Sequence, residues 1–220
     1  MRTTIKYFKL SKFRLQKSRQ IALFLGLFVF TSSYLIGQQD NKFKAGIKAG
    51  LNSSQITGDG YAGFNKLNLQ GGFLLQKPIN ETSQLQFEIL YIQKGSFDPG
   101  DPDNGNYQTY RIHLDYIEVP LLYQYEWDKF TIEIGPGVGV LFNTAEESSA
   151  GAVNPSGFKW RSFEIDAMLG ANYFFNDNVF ANVRIHQSIV STVSARIITP
   201  YGSFGGAYNI VVGASINYVF

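Results

Sequence analysis

From Ala207 to Phe220 one row of alternate positions is apolar or aromatic: Tyr208, Ile210, Val212, Ala214, Ile216, Tyr218 and Phe220. The other row holds Asn209, Gly213, Ser215 and Asn217. A period of two is that of a β-strand with two unlike faces. Chain ends are usually frayed and polar, so a strand that stays apolar to its last residue suits a barrel, whose last strand must pair with its first. The same alternation, broken by turn residues, predicts eight strands over 43–54, 67–78, 84–97, 108–126, 130–143, 159–174, 179–193 and 207–220. Their connections alternate in length. Ile79–Ser83, Trp127–Lys129 and Phe175–Asn178 are short, whereas 55–66, 98–107, 144–158 and 194–206 are long and rich in polar residues and glycine. Short turns at one end and long loops at the other predict an all-β, eight-stranded antiparallel up-and-down transmembrane barrel with both termini in the periplasm.

The faces follow from the pattern. Leu85, Phe87, Ile89 and Tyr91 alternate with Gln86 and Glu88, and Phe163 to Tyr173 alternate with Glu164, Asp166, Gly170 and Asn172. The apolar set should meet lipid and the polar set should fill the lumen. The fourth strand breaks this rule, because Ile112 and Leu114 are even while Val119, Leu121, Tyr123 and Tyr125 are odd. A β-bulge beside Pro120, shifting the phase near Tyr116, would restore it. A soluble lipocalin-like barrel uses the same alternation turned inside out. Acids and bases in mid-strand argue against that reading. So do aromatics at both strand ends: Tyr125, Trp127, Phe130, Tyr173 and Phe220 below, Tyr107, Tyr110 and Trp160 above.

Residues 1–20 carry seven Lys and Arg and no acid, followed by the apolar run Ile21 to Phe30 and the segment TSSYLIG. This order is that of a secretory signal peptide, expected over 1–37 with cleavage near Gly37, and the barrel domain then spans 38–220. The apolar core is about half the length of a spanning helix. Without that segment 12 Lys and Arg face 17 Asp and Glu, so the basic character belongs to the leader and nucleic acid is not an expected partner. The chain has no Cys, which excludes disulfides, thiolate metal sites and a lipid-modified cysteine. A mean hydropathy of −0.08 would pass for a soluble protein, but in a barrel only every second residue meets lipid.

Eight strands leave an interior that side chains fill. The expected inward charges are Lys44, Lys48, Arg111 and Arg184 with Glu88, Asp115, Glu118, Glu133, Glu164 and Asp166, joined by His113 and His186. Buried charges persist when paired, so this set reads as a structural salt-bridge network rather than an ion path. His186 and Ser188 have the His-x-Ser spacing of lipid A deacylases, but no acid follows within twelve residues and their face is luminal, so no catalytic residue is assigned. Asp98, Asp101 and Asp103 could form a Ca²⁺ loop, yet they lack the pattern of an EF-hand and read better as a solvated turn. No cofactor or metal site is expected.

GIKAGLN (Gly46 to Asn52), YIEVPLLYQY (Tyr116 to Tyr125), GPGVGVLF (Gly135 to Phe142) and the terminal aromatic resemble the PorT-like outer-membrane β-barrel family of Bacteroidetes, often called porin-like. The resemblance implies an outer-membrane barrel and little chemistry, with one branch serving type IX secretion and gliding. The function expected is therefore that of a non-enzymatic structural or interaction protein. Its partners would be outer-membrane lipid, the barrel-assembly machinery (with Tyr218 and Phe220 as the assembly signal), and an envelope or extracellular protein at the four long loops. A secretion accessory is the alternative, and a lipid A-modifying hydrolase ranks third.

Overall fold

The structure, a computed structural model, describes residues 42–57, 63–101, 103, 105, 107–149, 151–152, 159–194, 197–199, 202–204 and 206–220. The expected signal peptide lies outside these residues. Eight long strands form the wall: β1 (Lys44–Thr57), β2 (Lys66–Asn80), β3 (Ser83–Asp98), β4 (Tyr110–Trp127), β5 (Phe130–Ser148), β7 (Phe163–Phe174), β8 (Val179–Ser188) and β11 (Tyr208–Val219). Three short strands belong to the loop end: β6 (Gly151–Ala152), β9 (Ile197–Thr199) and β10 (Gly202–Phe204). Each long strand pairs antiparallel with its neighbours, and β1 pairs β11 from Gly46↔Val219 to Thr57↔Tyr208. The Phe220 N–H donates to the Ala45 carbonyl at 2.8 Å, extending the seam to the last residue. This closed eight-stranded barrel leaves the wall without a free edge.

The short turns follow from local chemistry. Asp128 takes the positive φ of 56° that a two-residue hairpin demands. The Asn80 Oδ1 accepts from the Thr82 N–H (3.0 Å), and the Asn176 Oδ1 accepts from the N–H groups of Asn178 (2.9 Å) and Val179 (2.8 Å). These are Asx turns, in which a side-chain carbonyl replaces a backbone one.

Along the lower and middle wall, Ile47, Leu51, Phe73, Phe87, Ile132, Leu169, Val183 and Ile216 point outward and are exposed, while Glu88, Glu118, Glu133, Arg184 and Asn217 point inward and are buried. Tyr125, Trp127, Phe130, Tyr173 and Phe220 project outward at the short-turn end. At the loop end the chemistry reverses. Ile56, Ile92, Ile112, Leu114, Tyr116, Val193, Ala207 and Val211 form a buried cluster inside the wall, against which Tyr110 and Trp160 also pack. Trp160 and Tyr110 therefore belong to this inner cluster and not to an outer girdle.

Strand β4 keeps one facing throughout. Its even residues from Ile112 to Gln124 all point inward, so Arg111, His113 and Asp115 lie on the outer wall and not in the lumen. The register irregularity does fall between Asp115 and Tyr116, but the extra residue is Phe142 of β5, and β4 does not change phase there. The apparent shift in the sequence records a change of surroundings. Outside the bilayer the barrel is wet without and dry within, so the apolar row moves to the other face of an unbroken strand. Lys44, also expected inside, stands exposed at the short-turn end.

Candidate functional site

The lumen holds two ion-pair clusters. In the lower one, the Arg184 guanidinium grips Glu88 with two bonds (Nη1–Oε2 2.7 Å, Nη2–Oε1 2.8 Å) and reaches Glu133 through Nε at 2.6 Å. Lys48 adds a contact to Glu88 at 3.4 Å and donates to the Asn182 Oδ1 at 3.1 Å. Glu133 also accepts from Gln124 (2.8 Å), Asn172 (3.2 Å) and Asn182 (2.8 Å), and Glu88 accepts from Gln86. Two cations meet two carboxylates, and the amides occupy the remaining lone pairs, which is the condition for burying charge. Glycine makes room here: a Cβ at Gly170 would meet the Glu133 carboxylate oxygen at 2.5 Å.

The upper cluster is built on Lys94. Its ammonium donates to Glu118 (2.7 Å), Glu164 (3.1 Å) and Asp166 (3.0 Å), using all three of its hydrogens. The other oxygen of Glu118 faces the His186 Nδ1 at 3.1 Å, and Asn209 donates to both oxygens of Glu164 at 2.9 and 3.2 Å. The Lys94 Nζ also sits 5.0 Å from the centre of the Tyr116 ring. Of the expected inward charges, Lys48, Glu88, Glu118, Glu133, Glu164, Asp166, Arg184 and His186 are brought together in these two clusters, and Lys44, Arg111, His113 and Asp115 are not. On the outer wall Asp115 accepts instead from Tyr91 (3.1 Å) and Asn143 (2.7 Å), and Arg111 lies over the Phe97 ring at 4.5 Å.

Lys94 and Lys66 are buried bases that the reading of the sequence missed. Lys94 shares the parity of Gln86 and Glu88, which was the available signal. Apolar Ile92 between them, an inner-cluster residue, hides the continuity of the polar row. Lys66 donates to the Lys94 carbonyl and Ser54 to that of Gly95 (2.8 Å), so side chains satisfy β3 where its pairing with β2 has ended at Ile92.

Apolar groups close the column at both ends: the Ile112 cluster above, and below it Leu74, Phe180 and Val219 with Phe174, whose ring stacks on Phe180 at 4.7 Å. His186 and Ser188 are both buried in the lumen, and Glu118 from across the barrel supplies the acid that the local sequence lacks. The Ser188 hydroxyl instead accepts the Asn209 N–H at 2.7 Å. Among the described residues no group of three or more His, Cys, Asp or Glu is arranged to hold a metal ion. The Asp98 carboxylate accepts the Gly100 N–H at 2.9 Å, as in a turn.

A family model described as an outer membrane protein beta-barrel domain matches residues 30–194. The fold is similar to that of Neisserial surface protein A, at 12% identity over 83% of this chain and 100% of that one, with a TM-score of 0.48. It is also similar to Ail, the attachment invasion locus protein of Yersinia pestis, at 11% identity over 81% and 99%, TM-score 0.46. A third similar structure is the N-terminal β-barrel domain of Pseudomonas aeruginosa OprF, at 11% identity over 81% and 100%, TM-score 0.36. No curated protein matches the sequence.

Proposed function

Since the chain belongs to the outer membrane protein beta-barrel domain family and resides in the outer membrane, we propose that it is a non-enzymatic barrel that presents its loop end to an envelope or extracellular protein. The observation that carries this reading is the packed lumen. Two ion-pair clusters between two apolar seals fill the lumen, which supports neither a solute path nor a substrate position beside His186 and Ser188. What remains available to a partner is the outer surface, and at the loop end this includes segments 55–66, 98–107, 144–158 and 194–206, which lie partly outside the described residues; binding residues are commonly carried on loops held by a rigid scaffold. Export by the 1–37 leader and recognition of Tyr218 and Phe220 by the barrel-assembly machinery complete the proposal.

Membership of the PorT-like branch, and with it a role as an accessory of protein secretion or gliding, is the second reading. It is favoured by the segment Tyr116 to Tyr125, which places Glu118 in the upper cluster. Comparing the surface and secreted proteomes of a deletion strain with those of the parent separates the two. The loop-partner reading expects secretion to be unchanged and a photo-crosslinker at exposed Tyr107 to capture an envelope or external protein. Retention of many unrelated cargo proteins inside the deletion strain would instead establish the secretion role.

A further inference from the structure

The lower cluster sets Lys48 and Arg184 against Glu88 and Glu133, so its charges balance. The upper one sets Glu118, Glu164 and Asp166 against the single ammonium of Lys94. All four of these side chains are at most 1% exposed. His186 of β8 can add one positive charge, and the Tyr116 phenol of β4, beside the ammonium, can add none. The remaining neighbours are neutral: Gly137 and Gly139 of β5 stand opposite Asp166 and Glu164, Ser188 of β8 stands opposite Asp166, and Asn209 of β11 donates to Glu164. Even with Lys94 and His186 both cationic, three ionised carboxylates would leave one negative charge in a dry interior, which is costly. A proton on one carboxylate removes it.

The hydrogen bonds say which carboxylate that is. Glu118 accepts from Lys94 with one oxygen at 2.7 Å and faces the His186 Nδ1 with the other at 3.1 Å. Glu164 accepts from Asn209 at both oxygens and from Lys94 at one. Asp166 accepts from Lys94 at Oδ2, but its buried Oδ1 receives no donor from the described residues. Asp166 and Glu118 nevertheless stand within hydrogen-bonding reach of each other. Two ionised carboxylates hold only acceptors and would repel there, whereas a protonated Asp166 has a hydrogen to donate.

We propose that Asp166 is a carboxylic acid in the folded barrel at neutral pH, its Oδ1–H donated to the Glu118 carboxylate, so that the packing of the upper lumen depends on a proton taken from water as the barrel folds. An unfolded aspartate ionises near pH 3.9, so at neutral pH the folded chain binds one proton more than the unfolded one. The contribution of Asp166 to stability is therefore complete at acid pH and is lost as pH rises.

The test uses the barrel extracted from the outer membrane in detergent, with urea unfolding followed from about pH 6 to about pH 9 in the parent and in Asp166→Asn. The amide keeps the shape and neutrality of the acid and can donate to Glu118 in its place. Groups that titrate elsewhere in the barrel act on both proteins alike, so their difference isolates Asp166. The folded-to-unfolded ratio of the parent should fall relative to that of Asp166→Asn by about tenfold per pH unit for as long as the proton stays bound. The same gap should open between His186→Asn and the double variant, because the histidine does not carry this proton. A difference between parent and Asp166→Asn that is constant with pH overturns the proposal. Infrared spectra of the folded parent at neutral pH give a readout that does not need the variant to be stable: a protonated-carboxyl C=O stretch is expected. Its absence overturns the proposal, and so does its survival in Asp166→Asn together with its loss in Glu118→Gln, which would place the proton on Glu118.

Discussion

Glu118 has two oxygens and two different partners, Lys94 at 2.7 Å and His186 at 3.1 Å. Removing it by Glu118→Ala leaves His186 without its carboxylate and takes one of three carboxylates from Lys94, which keeps Glu164 and Asp166, so the cost should fall below the about 3–5 kcal/mol of breaking an isolated buried pair. A clear fall in the urea midpoint of the purified barrel is the expected result. Glu147 lies on the exposed wall opposite Arg111, where an ion pair is worth roughly 0–1 kcal/mol, so Glu147→Ala should melt close to the parent. Lys94→Met should cost more than Glu118→Ala, because it leaves three carboxylates facing one another without a counter-charge. If Lys94→Met and Glu118→Ala both melted like Glu147→Ala, the upper cluster would contribute nothing to stability.

Strand β4 shows what periodicity can and cannot reveal. The strands and their short turns were legible because lipid on one face and a polar lumen on the other impose a strict period of two, as in β7 and β11. That logic requires one solvent on each side. Above the bilayer water replaces lipid, so Ile112 and Leu114 turn out to belong inside although their counterparts lower down, Leu121 and Tyr123, belong outside. A sequence read with a single rule must then invent a bulge, and four of the expected lumen charges were misplaced: Arg111, His113 and Asp115 by this route, and Lys44 because it lies at the open end of the wall. Partners across the barrel were illegible for a different reason. Arg184 and Glu88 are far apart in the chain, and no local pattern pairs them. The facing can be checked directly: Ile112→Asp should prevent the heat-modifiable folded form by placing an unpaired carboxylate in the apolar cluster, whereas His113→Asp should fold. The reverse outcome would restore the bulge at Pro120.

For the whole molecule, closure and filling are separate achievements. Filling predicts silence: in planar bilayers the purified protein should show no stable ohmic conductance, because an eight-stranded interior occupied by two charge clusters and sealed by Phe180, Leu74 and Val219 offers ions no continuous water. A reproducible large channel would mean that the lumen is not packed in the membrane.

Closure rests on the seam between β1 and β11, and there Phe220 separates stability from assembly. Its N–H bonds to Ala45, a contact any residue but proline could make, while its side chain is 71% exposed and touches the Tyr218 ring at 5.5 Å. So exposed a ring contributes little to the folded state in detergent, and Phe220→Ala should change the urea midpoint by roughly 0.5 kcal/mol or less. If Tyr218 and Phe220 are read by the assembly machinery, the same variant should nevertheless accumulate poorly in the outer membrane of living cells. Measuring both quantities on one protein decides the matter. Normal membrane levels would deny the terminal aromatic a role in assembly, and a large loss of stability in detergent would make that role structural instead.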